Sequence, residues 1–349
     1  MKKTLVALAV TAFATSASAL TIYENEGSKV DFDGSIRLLL EQNSKKVGDT
    51  TTKRAHSNLH NDGSRFGVRM THNLAEDFFA FGRLEFRFNG GDTQADQFGD
   101  LYAHRAYVGL GSKQYGELSF GRQVTIGDDI AQSGFDNAYG AWDTTLVTSG
   151  KSVVRYDYKG IEGLQVGVDY RFAEERDSTN GEVLDNALKS GYGAGVIYGF
   201  PVAEGQSMKL AAGYTRNNYK TTSSNSHHKD AYAAGISYTI DALTLAADYA
   251  GSFEKEGSYK DRWNGFRVGA KYAVAPAIAV YGNYGRASGK ETVSDVVTKT
   301  TIDKFMLGTE YKMHKNVFTY LEGVYGTAKV KGGEKTTDKA IGVGLRVFW

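Results

Sequence analysis

The chain has 349 residues, 41 basic and 40 acidic side chains, a formal net charge of +1 and no cysteine. That excludes disulfide stapling, argues against thiolate metal sites, and leaves no basic excess for nucleic acid. Its 42 glycines, 22 tyrosines and 18 phenylalanines stand beside only 2 prolines, so nearly every backbone amide is able to join a strand ladder.

The first residues read as an export leader. Lys2 and Lys3 form a positive start, Thr4 to Ala14 are apolar apart from threonines, and Ala17-Ser18-Ala19 supplies a small-x-small cleavage pattern. The apolar run falls well short of the roughly 18 residues of a membrane-spanning helix. Cleavage after Ala19 leaves residues 20–349 as one domain beginning at Leu20. Without the two lysines its formal charge moves from +1 to −1. Mean hydropathy is negative and no later stretch could span as a helix. An integral membrane protein of this profile has a closed barrel as its remaining form.

Period-2 patterning then runs along the chain. Val30, Phe32, Ile36, Leu38 and Leu40 alternate with Asp31, Asp33, Ser35, Arg37 and Glu41. Leu84, Phe86 and Phe88 alternate with Arg83, Glu85 and Arg87. Leu164, Val166, Val168, Tyr170 and Phe172 alternate with Gln165, Gly167, Asp169 and Arg171. Phe266, Val268, Ala270 and Tyr272 alternate with Arg267, Gly269 and Lys271. A helix would scatter these charges around its circumference. The glycines at 191, 193 and 195 fall on the face that turns inward, where they leave space. In the segment 317–326, Phe318, Tyr320 and Glu322 share a face with Val324, which makes its orientation ambiguous. At the end, Ile341, Val343, Leu345, Val347 and Trp349 oppose Ala340, Gly342, Gly344, Arg346 and Phe348.

Sixteen strands are predicted, at about 29–41, 64–72, 78–89, 101–111, 116–122, 152–159, 163–172, 190–199, 207–216, 230–239, 243–252, 262–272, 277–286, 302–311, 317–326 and 340–349. Their connections alternate long and short, with long ones near 42–63, 90–100, 123–151, 173–189, 217–229, 253–261, 287–301 and 327–339. Short turns at one rim and long loops at the other describe an all-β, 16-stranded antiparallel transmembrane barrel. A soluble ligand-binding barrel has about eight strands. At sixteen, side chains cannot fill the interior, which leaves an aqueous channel.

The longest loop, 123–151, carries Asp128, Asp129, Asp136 and Asp143. Its apolar residues Ile126, Ile130, Phe135, Tyr139, Trp142 and Leu146 imply that it packs, and the available place is inside the barrel. By alternation Arg37, Arg65, Arg83, Arg87 and Arg105 point inward from adjacent early strands. Any one arginine could simply solvate the lumen or pair with Glu85 or Glu41. As a cluster they set a basic wall against an acidic loop, a transverse field across a constriction that filters small hydrated solutes by charge. The sign of ion preference stays open. The histidines, His227-His228 included, lack metal-ligand spacing, and nothing marks a catalytic triad.

Two end segments resemble Gram-negative general diffusion porins. Ile22-Tyr23-Glu24-Asn25-Glu26-Gly27-Ser28-Lys29-Val30-Asp31-Phe32-Asp33-Gly34 is similar to the family's opening. Ala340 to Trp349 looks like the closing strand by which such proteins are recognised for assembly, with tryptophan where phenylalanine is usual. Asn61-Asp62-Gly63-Ser64-Arg65-Phe66-Gly67 and Gly121-Arg122 also look like family positions, and the flavour is nearest the OmpH-type major porins of the Pasteurella and Haemophilus group. The resemblance implies a passive channel for ions and small hydrophilic solutes in the outer membrane, without cofactor or catalysis. It also implies a homotrimer in contact with outer-membrane lipid and lipopolysaccharide, and barrel-assembly machinery that reads Val347 and Trp349. Carried over, Arg37, Arg65 and Arg105 look like the basic wall. Asp136, in Gly134-Phe135-Asp136-Asn137-Ala138-Tyr139-Gly140, takes the acidic role, with Asp128 and Asp129 in support. The alternatives are a substrate-specific channel, an outer-membrane enzyme and an adhesin.

Overall fold

A computed structural model describes residues 19–53, 57–89, 98–142, 144–174, 187–221 and 225–349. Nearly all of the expected leader, His56 and Asp143 lie outside them.

The described chain forms the strands β1 (Leu20–Asn25), β2 (Ser28–Val47), β3 (Thr50–Lys53), β4 (Asn58–Asn61), β5 (Arg65–Ala75), β6 (Phe78–Phe88), β7 (Leu101–Ser112), β8 (Gly116–Val124), β9 (Ser149–Tyr158) and β10 (Leu164–Arg171). It continues with β11 (Leu188–Ala203), β12 (Gln206–Tyr219), β13 (His227–Ile240), β14 (Leu243–Glu256), β15 (Tyr259–Ala275), β16 (Ile278–Val293), β17 (Val296–His314), β18 (Val317–Val330) and β19 (Lys335–Phe348). Consecutive strands pair antiparallel, and β19 closes the ring on β2 from Thr336 opposite Val47 to Phe348 opposite Ser35. The short β3, β4 and β5 lie end to end along β2 as one wall. On the other side of β2, β1 pairs with its first residues and continues the line of β19. The result is a closed 16-stranded barrel. Closure matters because each backbone polar group left unpaired in hydrocarbon costs several kcal/mol.

Alternation assigns the faces as the sequence indicates. Ile341, Val343, Leu345 and Val347 are exposed on the outside, whereas Gly342, Gly344, Arg346 and Phe348 are buried inside. In β18 the ambiguous face turns inward: Phe318 and Tyr320 pack with Leu39 and Phe348 against the lumen wall. Trp349 sits outside at the short-turn rim. Its ring is 6.2 Å from that of Phe32, and its backbone exchanges hydrogen bonds with Gly34 at 3.1 and 3.2 Å. Gly34 is required there, because a Cβ would lie 2.5 Å from the indole.

The strands are longer than expected at the opposite rim. The spans 253–261 and 287–301, anticipated as loops, are strand up to the tight turns at 257–258 and 294–295. At the second turn Ser294 (φ 45°) and Asp295 (φ 68°) both take left-handed backbone, the geometry of a two-residue hairpin turn. β17 has 19 residues, which at roughly 3.4 Å each, tilted by about 40°, stand far taller than the ~25 Å apolar band. Above that band both sheet faces meet water. The ladder therefore continues where the apolar–polar alternation stops.

Candidate functional site

Between β8 and β9 the chain folds into the lumen. Thr125 caps a single 3-10 turn, Ile126–Asp129, by accepting from the Gly127 amide, and its hydroxyl donates to the Val147 carbonyl at 2.6 Å, tying the two ends of the loop together. From there the loop runs along the inner face of β10 to β19. Ile126, Ile130 and Leu146 pack into one cluster with small wall residues, Ala211, Ala231, Ala233 and Ala250 among them. Glycines make this seat. A Cβ on Gly195 would come within 2.9 to 3.1 Å of Ile126 and Ile130, and one on Gly213 within 3.0 Å of Ile130.

Further along, wall carboxylates take up loop amides. Asp248 on β14 accepts from the Gln132 amide (2.7 Å), the Ser133 amide (2.8 Å) and the Ser133 hydroxyl (2.5 Å). At the tip, Glu322 on β18 is fully buried and accepts from the amides of Asn137 (2.5 Å), Ala138 (2.8 Å) and Tyr139 (2.9 Å), and from the Tyr281 hydroxyl (2.7 Å). Arg346 on β19 donates to the Asn137 carbonyl at 2.6 Å and to Asp62 at 2.8 Å. Last, the Tyr139 hydroxyl reaches β2 and donates to Glu41 at 2.8 Å. Burial, then the hydrogen bond to Glu41, pushes the Tyr139 phenol well up, so it stays protonated and donating.

The opposite wall is β2 and β5 to β7. Glu85 lies among three arginines, 3.0 Å from Arg83, 2.6 Å from Arg87 and 3.8 Å from Arg105. Arg83 is 6% exposed and also pairs with Asp33 at 2.6 Å, so water reaches little of it. Arg65 donates to its neighbour Gly63's carbonyl, and Arg37 donates to Ser35 and lies over the Phe348 ring at 5.5 Å. No ion pair holds Arg37 or Arg65 among the described residues.

The loop acids divide. Asp136 at the tip and Arg37 on the wall line one cavity of about 310 Å³, together with Lys271, Glu310, Lys312 and Arg346. Asp128 and Asp129 are exposed to the lumen at the start of the loop, where Asp129 lies 4.0 Å from Arg155 on β9. Nothing in the sequence alone marks Glu322, Asp248, Glu41 or Arg346 as partners of the loop. The available signal was an isolated inward acid among small neighbours, as in Ala246, Asp248 and Ala250.

A family model described as Gram-negative porin matches residues 4–333. The chain is 32% identical over 372 residues to a "Major outer membrane protein" of Pasteurella multocida strain Pm70, covering 100% of both. Among solved structures it resembles the in-vitro folded OmpT of Vibrio cholerae in its trimer form, with a TM-score of 0.64 at 20% identity over 93% of this chain and 100% of that one. It also resembles an anion-selective porin from Comamonas acidovorans, with a TM-score of 0.69 at 17% identity over 92% and 100%.

Replacing Glu322 by Ala leaves three loop amides without an acceptor, each worth about 1–3 kcal/mol when buried and unpaired. Single-channel recording is expected to show larger, flickering conductance, while strand content by circular dichroism stays unchanged. Gly195→Leu, which crowds Ile126 and Ile130 instead, should give the same phenotype. Quiet wild-type steps from both variants would mean that the loop is held by something else.

Proposed function

The chain belongs to the Gram-negative porin family and is a passive, water-filled diffusion channel of the outer membrane, and we propose that its charge selectivity is set across the gap between the loop tip and the arginine wall. The observation that supports this most directly is the single cavity shared by Asp136 and Arg37. Arg37, Arg65 and Arg105 supply the positive side, joined by Arg87 and Arg346, and outnumber the carboxylates Glu85 and Asp62 set among them. Asp136 supplies the negative side at the tip, while Asp128 and Asp129 lie upstream on the solute's path. Arg83 shapes the wall through Asp33 and Glu85 and adds little to the field.

Charges at such a gap act over a Debye length, about 8 Å at physiological salt and about 3 Å at 1 M. The selectivity is therefore weak and fades as salt rises. Assembly as a trimer fits the family and the trimer form of the similar OmpT. Export by residues 1–19 fits the leader pattern, and cleavage there makes Leu20 the first residue, which the intact mass of protein from outer membranes reads.

Planar-bilayer recording under a salt gradient tests the reading. Arg37→Gln with Arg65→Gln is expected to shift the reversal potential toward cations and Asp136→Asn toward anions, both shifts shrinking at 1 M salt, in channels that close in threes. Reversal potentials that ignore all three substitutions would remove these residues from the selectivity gap.

A further inference from the structure

The lumen face is not polar throughout. Toward the short-turn rim, β6 and β7 turn Phe79, Phe81 and Tyr107 inward, on the same face as Arg83, Glu85 and Arg105. The Phe79 and Phe81 ring centres are 5.8 Å apart, and Tyr107 stands edge-on to Phe81 at 6.4 Å. Two glycines of β7 make room for the rings. Gly111 lies opposite Phe79 and Gly109 opposite Phe81, and a Cβ on either would come within 2.4 Å of a ring carbon.

Rings leaning over glycines also occur on the side that the loop covers, and there they are sealed. Tyr281 beside Gly308 and Tyr320 beside Gly344 are 3% and 2% exposed, and their hydroxyls donate to Glu322 and Asp62. On β6 and β7 that cover is missing. Phe79, Phe81 and Tyr107 stay partly exposed on the face that alternation turns to the channel, and the Tyr107 hydroxyl bonds no described residue. Contiguous apolar surface left open to water marks a place where a ligand gains by contact.

The charge beside these rings is positive. Arg69 on β5 stands opposite Arg83, which makes it the diagonal neighbour of Phe81, whose own partner is Thr71. Residues so placed lie about 7–8 Å apart, within reach of a long side chain. The Arg69 side chain is 60% exposed. Asp33 and Glu85 are shared among Arg69, Arg83, Arg87 and Arg105, two acids against four bases. Glu117, opposite Gly111 at the rim end, repels a carboxylate from that end. Rings and surplus positive charge thus lie side by side in a fixed order.

We propose that Phe79, Phe81 and Tyr107 form a subsite for planar aromatic carboxylates, which stack on the rings and turn the carboxylate toward Arg69. Ring–ring attraction favours an aromatic solute over a saturated one of equal size, and arginine takes a carboxylate through paired N–H donors. The subsite lies below the arginine wall on the way to the short-turn rim, so the inference rests on the channel reading and not on the charge assignment at the loop tip.

Current-noise analysis in planar bilayers tests it, with 2-naphthoate, its fully saturated analogue and neutral 2-naphthol as probes. Wild-type channels are expected to show saturable, flickering block by 2-naphthoate, with the saturated acid at least about fivefold weaker. Phe79→Leu with Phe81→Leu, which keeps bulk over the glycines, should weaken the 2-naphthoate block by a similar factor. Arg69→Gln should weaken the block by 2-naphthoate and leave that by 2-naphthol unchanged. Equal block by the aromatic and saturated acids in wild-type protein, undiminished block in the double variant, or indifference of 2-naphthoate to Arg69→Gln overturns the proposal. Absence of ion conductance in wild-type protein would instead count against the channel reading.

Discussion

A carboxylate that takes three consecutive backbone amides is the interaction on which the pore depends. Glu322 reaches the lumen from β18 with no solvent exposure and receives Asn137, Ala138 and Tyr139. A buried carboxylate without partners is costly, and so are buried amides without acceptors. Each group removes the other's penalty, which fixes one path for the loop tip rather than many. The position of Asp136, one residue before the three, follows from that attachment. Arg346 strengthens it by joining the Asn137 carbonyl to Asp62 on the barrel wall.

The rest of the loop is held by shape. Its path crosses strands whose inward positions are glycine or alanine, and Ile126, Ile130 and Leu146 fill the space those residues leave. Burying each such side chain contributes about 1.5–3 kcal/mol. The loop covers the β10 to β19 side and touches β2 at its tip through Tyr139. The arginines of β2 and β5 to β7 therefore keep their lumen in front of them, and the proposed selectivity gap is the space between tip and wall.

Period-2 alternation carries most of the architecture because lipid and water impose opposite demands on the two faces. Strands such as 164–171 and 340–348 are legible for that reason. The same logic fails above the lipid band, where β16 and β17 continue through residues whose pattern reads as loop, since both faces there are wet. In the lumen the arginines announce themselves as charges on inward positions. Asp248 and Glu322 did not, because a lone inward acid is ordinary in a water-filled barrel until its partner is known. Their partners are backbone amides over 100 positions away in sequence, and amides leave no mark in composition. The contribution of Arg83 was likewise hidden, as its pairing with Asp33 depends on the register of β2, β5 and β6.

The proposed selectivity gap requires the loop tip to lie in the conduction path, opposite Arg37. The chain has no cysteine of its own, so Asp136→Cys introduces a single reactive thiol. Recording one channel while a charged methanethiosulfonate is added measures directly whether that position lines the narrow gap. A stepwise fall in conductance, larger with the bulkier reagent and absent in wild-type protein, is expected. Full reaction of the thiol with no change in conductance would place the tip away from the path and contradict it.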